Sequence, residues 1–242
     1  MIQKTEFKIG ELNCILVKHE TCQTPSAAVI LCHGFGAPGT DLVNLADAIM
    51  KTGKAQQNAV YIFPAAPIEL DPLFDSRAWW MIDIEKIQNL MMSGETREMQ
   101  GESPDLLPQR RIDLTYVIDH CRHEYSLPAS KLVVGGFSQG SMLATDVALH
   151  YPDPLGGLII WSGTLINSEL WSTQAARQFP LKICQSHGIV DPILPIDGAR
   201  DLKEMLQSNR HQVQYIEFHG PHSIPMNAIN LAGDLIGNVA ET

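Results

Sequence analysis

The chain has 242 residues, 45% of them hydrophobic and 18% charged, an ordinary globular composition with apolar material for one large α/β domain or two small ones. Its 17 Lys and Arg against 27 Asp and Glu leave a formal net charge of −10. That balance repels a phosphate backbone or an anionic membrane surface, and the only basic pair, Arg110-Arg111, stands beside Asp113 on an amphipathic pattern, so no nucleic-acid partner is expected.

Residues 5 to 9 and 12 to 17 alternate polar and apolar side chains around Gly10-Glu11, which predicts an antiparallel hairpin at a sheet edge. The same N-terminal stretch lacks the apolar core of a signal peptide, and no run of about eighteen apolar residues occurs anywhere, so a soluble chain without integral membrane association is expected. From residue 27 the pattern changes. The stretches AAVILCH (27–33), AVYIFPA (59–65), KLVVGGF (131–137), GGLIIWS (156–162), LKICQSH (181–187) and QVQYIEFH (212–219) are mostly continuous apolar runs of strand length. Helical spacing fills the intervals: Leu42, Leu45, Ala46, Ile49; Ile112, Thr115, Tyr116, Val117, Cys121; Met142, Leu143, Val147; Leu202, Met205, Leu206; and Ile229, Leu231, Leu235, Ile236. Continuous apolar strands alternating with amphipathic helices predict an α/β fold, a mostly parallel central sheet with helices on both faces. Chemistry in such sheets gathers at the carboxyl ends of the strands.

No repeat and no Pro-, Gly- or Ser-rich linker divides the chain, so residues 1–242 read as a single domain. Residues 66–108 are the irregular part. They carry Trp79, Trp80 and a Met pair but no clean strand, and read as a lid-like excursion over the sheet whose stretch 93–105 is expected to be mobile. The five cysteines, at 14, 22, 32, 121 and 184, show no C-x-x-C spacing, and Cys32 and Cys184 fall in apolar runs. They read as small core residues rather than metal ligands or disulfide partners, which predicts a reducing, cytoplasmic setting.

Gly136-Phe137-Ser138-Gln139-Gly140 fits G-x-S-x-G between an apolar strand and a helix, the pattern of a nucleophile elbow. Five residues are weak support, because Ser is also a favoured helix N-cap and Gly is common in turns. A serine needs a base within hydrogen-bond reach and a carboxylate to orient that base, in the chain order Ser, acid, His. Downstream, SHGIVDPILP places Asp191 four residues past a strand, where it also suits a turn before Pro192, and FHGPHSIP places His222 before the last helix. His219 is the alternative base, but it still reads as strand, whereas His222 follows Gly220-Pro221. Asp197 and Asp201 fall on a helical pattern and read as solvated acids. The oxyanion needs two preorganised N–H donors: Gln139, after the nucleophile, and Phe35 in the early loop HGFGAPG. A substrate pocket needs an apolar wall, for which Leu73, Phe74, Trp79, Trp80, Met91 and Met92 are available in the irregular segment.

The blocks HGFGA, FPAAP, AWW, LVVGGFSQGSMLA, HGIVDPILP and GPHSIP, in this order over most of the chain, resemble the phospholipase/carboxylesterase family of α/β-hydrolases, which includes acyl-protein thioesterases. The resemblance implies an α/β-hydrolase fold and a serine hydrolase of the carboxylesterase or thioesterase type, with lysophospholipase activity within its range. It implies Ser138, Asp191 and His222 as triad, Phe35 and Gln139 as oxyanion donors, no cofactor and no metal, and small-molecule acyl esters or thioesters as substrates. The chain departs from the thioesterase members at Ala37-Pro38-Gly39, where they carry an Asp. The alternative function is a non-catalytic α/β-hydrolase fold that binds a small molecule.

Overall fold

A computed structural model describes residues 1–83 and 99–241; Met91 and Met92, two of the expected pocket residues, lie outside the described residues. β1 (Ile2–Ile9) and β2 (Leu12–His19) form the predicted hairpin, pairing antiparallel from Ile2 opposite His19 to Ile9 opposite Leu12. Gly10 closes it at φ +55°, a left-handed conformation that suits glycine. The predicted strands follow as β3 (Ala27–Cys32) and β4 (Ala59–Pro64). A short antiparallel pair, β5 (Ile68–Asp71) and β6 (Ser76–Ala78), stands apart from them. β7 (Leu132–Phe137), β8 (Gly157–Trp161), β9 (Lys182–Gly188) and β10 (Gln212–Phe218) complete the set. Eight strands make one sheet in the order β1-β2-β4-β3-β7-β8-β9-β10, parallel from β4 onward.

Helices cover both faces, which is why the inner strands read as continuous apolar runs. In β3, Ala28, Ile30 and Cys32 enter one core while Ala27, Val29 and Leu31 enter the other. On the first face lie α3 (Leu107–Tyr125), α4 (Gln139–His150), α5 (Ser168–Arg177) and α6 (Ile196–Ser208), contributing Leu114, Leu143, Trp171 and Leu202. On the second lie α1 (Leu45–Met50), α2 (Lys54–Gln57) and α7 (Met226–Glu241), with Ile49 of α1 and Ile229 and Ile236 of α7 in the core.

Three readings change. α3 exists but turns a different face inward: Leu114, Val117, Ile118 and Cys121 are buried, while Ile112 and Tyr116 are exposed. Tyr116 instead lies over the hairpin turn, where a Cβ on Gly10 would stand 3.0 Å from its ring. The segment 66–108, read as strandless, contains β5 and β6, whose few residues are too short to show periodicity. Within the stretch expected to be mobile, residues 99–105 are described and tied down: the Ser168 amide donates to the Gln100 carbonyl (2.9 Å) and the Asn167 amide to the Glu102 carbonyl (3.0 Å). α5, which these bonds precede, escaped the sequence reading because SELWSTQAAR buries only Trp171 and Ala175.

A buried charge joins the helices of the first face. Asp146 of α4 is fully buried, and its carboxylate accepts hydrogen bonds from Arg111 Nη1 of α3 (3.0 Å) and Trp171 Nε1 of α5 (2.9 Å). Burial raises the carboxyl above its ordinary value, against the opposing pull of His150, Trp171 and Arg111. A raised folded-state value means that the ionised form costs stability, fully so above the folded pKa and not at all below the unfolded one. Arg111→Met, which strands this carboxylate, should therefore cost about 3 kcal/mol near neutral pH. The deficit should shrink between neutral and acidic pH as the carboxyl takes up a proton. Urea unfolding of both proteins at the two pH values measures this, and a deficit independent of pH would count against the buried ion pair.

Candidate active site

Ser138 occupies the junction of β7 and α4 with φ +53° and ψ −121°, a strained conformation for a residue with a side chain. Its backbone is fixed on both sides. The Ser138 amide donates to the Trp161 carbonyl (2.9 Å), and the Ser138 carbonyl accepts from the Ser141 and Met142 amides (3.0 and 3.2 Å) and from Ser141 Oγ (2.7 Å). The flanking glycines answer to a neighbour rather than to the turn alone. A Cβ on Gly136 or on Gly140 would collide with the Cys32 carbonyl oxygen, because the end of β3 lies beside β7 with Cys32 opposite Gly136.

The loops after β9 and β10 meet because these strands are parallel neighbours. Asp191 comes from the first and His222 from the second, and Asp191 Oδ2 accepts from His222 Nδ1 at 2.6 Å. That bond assigns the Nδ1 proton and leaves Nε2 as the basic atom of the neutral ring. Asp191 Oδ1 accepts from the Ile193 and Leu194 amides at 2.8 and 2.9 Å, so the residue shapes its turn and orients the histidine together. Burial works to raise the Asp191 carboxyl, but the adjacent His187 Nε2 at 3.3 Å, the hydrogen bond and charge of His222 and the Leu194 amide prevail and hold it well below the usual carboxylate range. The His222 ring packs on Phe137, with centroids 4.6 Å apart. His219 is exposed and outside this cluster.

The loop after β3 faces the elbow. β6 clamps it: the Gly36 amide donates to the Arg77 carbonyl (2.8 Å), the Arg77 amide to the Ala37 carbonyl (3.1 Å), and Ser76 Oγ to the Gly36 carbonyl (2.8 Å). Among the described residues the amides of Phe35 and Gln139 are paired with no acceptor. The side chain of Gln139 is committed, accepting from the Trp79 amide (2.9 Å) and donating to the Trp80 carbonyl (2.8 Å). Trp79 Nε1 donates to the His33 carbonyl (2.9 Å), while His33 Nδ1 donates to the Gly34 carbonyl (2.9 Å) and Nε2 accepts from the Ala66 amide (3.0 Å). Burial lowers the pKa of His33, as an acceptor Nε2 requires.

Ser138, His222, Gly34, Phe35 and Gln139 border one cavity of about 210 Å³. Its apolar lining includes Trp80, Ile82, Met99, Met142, Ile166 and Leu194, while Asp41 and Glu102 add negative charge. Of the expected pocket residues, Trp80 lines the cavity. Trp79 does not: it is fully buried behind it, in the hydrogen-bond frame just described. Leu73 and Phe74 stand on the turn joining β5 and β6, 87% and 75% exposed and away from the cavity, because a tight hairpin turn directs its side chains to solvent. The lining residues missed in the sequence come from separate segments and carry no common pattern. His187, buried four residues before Asp191 with Nε2 3.3 Å from Asp191 Oδ2, was also missed, although a polar residue ending an apolar strand was its signal.

The model of the phospholipase/carboxylesterase family matches residues 14–237. Acyl-protein thioesterase 1 of Eremothecium gossypii is 29% identical over 182 residues, covering 73% of this chain and 71% of the relative. Among solved structures, esterase PE8 superposes with a TM-score of 0.72 at 18% identity, covering 93% of this chain and 97% of its own. The carboxylesterase of Bacillus cereus superposes with a TM-score of 0.66 at 18% identity, covering 94% of each chain. These likenesses show the fold, which in this chain is a mostly parallel sheet between helix layers with an antiparallel hairpin at the N-terminal edge. With the family model spanning nearly the whole chain and its serine motif on the elbow between β7 and α4, the chain belongs to the phospholipase/carboxylesterase family of α/β-hydrolases.

Proposed function

We propose that this serine hydrolase cleaves small to medium acyl esters or thioesters with Ser138 as nucleophile, His222 as general base and Asp191 as the orienting acid. The observation that carries the reading is the 2.6 Å Asp191–His222 bond, made beside a strained serine on a shared cavity. Ser138 Oγ attacks the acyl carbonyl carbon as His222 Nε2 takes its proton. The amides of Phe35 and Gln139, which have no other acceptor among the described residues, receive the developing oxyanion at the start of α4. Collapse expels the alcohol or thiol, protonated by His222, and leaves an acyl-Ser138 ester. A water deprotonated by His222 then releases the carboxylic acid and restores the serine. No step requires a metal or cofactor.

A cavity near 210 Å³ is small among ligand pockets, which run from about 300 Å³ upward, and supports a short or medium acyl group. The main sheet runs from β1 to β10, which supports a single domain over residues 1–242. No described helix is long and apolar enough to cross a membrane, and the five cysteines are free and buried, which supports a cytoplasmic setting. The net charge of −10 supports a small-molecule substrate over a nucleic acid.

Ser138→Ala should remove activity on an activated ester by a factor on the order of 10⁶ and abolish fluorophosphonate labelling, with the melting temperature little changed. A tenth of wild-type turnover in the pure variant would remove Ser138 from the mechanism. The two tryptophans should separate. Trp80→Ala, which strips the cavity wall, should weaken the preference for octanoyl over acetyl esters by about 1 to 3 kcal/mol. Trp79→Ala should lower stability and slow both esters equally, because it removes the indole bond to the His33 carbonyl. Ratios of kcat/KM for the two esters measure this, and an unchanged ratio in Trp80→Ala would place the acyl chain elsewhere.

A further inference from the structure

His187 has no part in the reaction as written, yet it is fully buried against the carboxylate that orients the base. Its Nε2 faces two oxygen acceptors, the Leu194 carbonyl at 2.8 Å and Asp191 Oδ2 at 3.3 Å, so Nε2 carries the proton. Nδ1 has no partner among the described residues. Leu194 is held at both ends, its carbonyl by His187 and its amide by Asp191 Oδ1. His187, Leu194 and Asp191 thus close a ring. Around the carboxylate, Oδ1 receives two amides and Oδ2 receives His222 at 2.6 Å, with His187 Nε2 3.3 Å from the same oxygen.

We propose that His187 is a positioning residue, holding the 191–194 turn so that Asp191 Oδ2 stays in line with His222 and moderating the pull of that oxygen on the imidazolium. This inference rests on the assignment of Ser138, Asp191 and His222 to catalysis. The charged and titratable groups facing the pair are His187 on β9 and, across the cavity, Asp41 and Glu102. Without the Nε2–H the carboxylate is less solvated by the protein and holds the protonated His222 more strongly. The base then becomes available only at higher pH. Ile193 and Leu194 also line the cavity, so loosening this turn disturbs the acid and the acyl wall together.

The test is a comparison of His187→Gln, His187→Asn and His187→Leu on acetyl p-nitrophenyl ester. Gln can return an N–H to the Nε2 position, Asn reaches only the Nδ1 position, and Leu offers no donor. Asn and Leu should lower kcat by about 10-fold or more with KM little changed, the scale of a misaligned catalytic group. Their acid limb of kcat/KM should move to higher pH, and Gln should restore both quantities. Should Leu fail to fold, the Gln and Asn pair decides. Equal behaviour of Gln and Asn, an acid limb unmoved in every variant, or a fall in melting temperature alone overturns the proposal. Asp191→Asn, measured in parallel, separates the two readings: if it is inactive while the His187 variants are normal, only the role of His187 fails. If Asp191→Asn is itself normal, the triad assignment fails and the role of His187 with it.

Discussion

The contact on which the site depends is between two backbones. The end of β3, paired in parallel beside β7 with Cys32 opposite Gly136, lies so close to the β7–α4 elbow that neither Gly136 nor Gly140 has room for a Cβ against the Cys32 carbonyl. That approach brings the loop beginning at His33 within reach of the first turn of α4, and so puts two amides that are unpaired among the described residues on one cavity. It also leaves Ser138 as the residue that must absorb the change of direction, at positive φ with its hydroxyl exposed to the cavity. Strain of about 1–3 kcal/mol persists only where neighbours over-determine it, and here they do, through the Trp161 carbonyl on one side and the first turn of α4 on the other.

The remaining parts are held by hydrogen bonds between segments distant in sequence. Gln139 ties the elbow to Trp79 and Trp80, Trp79 ties that segment to His33, and His33 reaches Ala66 at the end of the neighbouring strand connection. The β5–β6 hairpin completes the frame by gripping Gly36 and Ala37. The excursion over the sheet therefore has two roles in its described part: its inner residues hold the loop that starts at His33, and Trp80 walls the cavity. Neutral His33 is integral to the frame, since an acceptor nitrogen is what the Ala66 amide requires.

Strand positions were legible wherever burial on both faces forced continuous apolar runs, as in β3, β4, β7, β8 and β9. Gly10-Glu11 likewise located the hairpin turn, although the strands extend to Ile2 and His19, beyond the expected 5–9 and 12–17. α3 was found but rotated, because Tyr116 and Ile112 are apolar in composition while their surroundings are the hairpin turn and solvent. Short elements left no period to read: β6 has three residues and α5 buries two. At the site, residue type and chain order singled out Ser138, Asp191 and His222 because each chemistry admits few side chains. Pocket residues have no such restriction. Leu73 and Phe74 were as apolar as Trp80, and only the hairpin turn, whose geometry depends on four residues between strands too short to recognise, directs them to solvent.

Several bland readings of the site residues proved compatible with the chemical ones. Ser138 opens a helix, Asp191 shapes a turn through the Ile193 and Leu194 amides, and Gln139 is a buried side chain satisfying two backbone groups. A catalytic group must be held within a fraction of an ångström, and the cheapest holder is the local structure to which it already belongs. The consequence is that loss of activity alone cannot assign a role here. On the proposed reading, a residue such as Trp79, which touches the frame but not the cavity, would slow the reaction by loosening the fold, with the same effect for every acyl chain. One such as Trp80, which touches the cavity, would change which acyl chain is preferred. The ratio between substrates, not the absolute rate, is the quantity that separates holding the site from reading its contents.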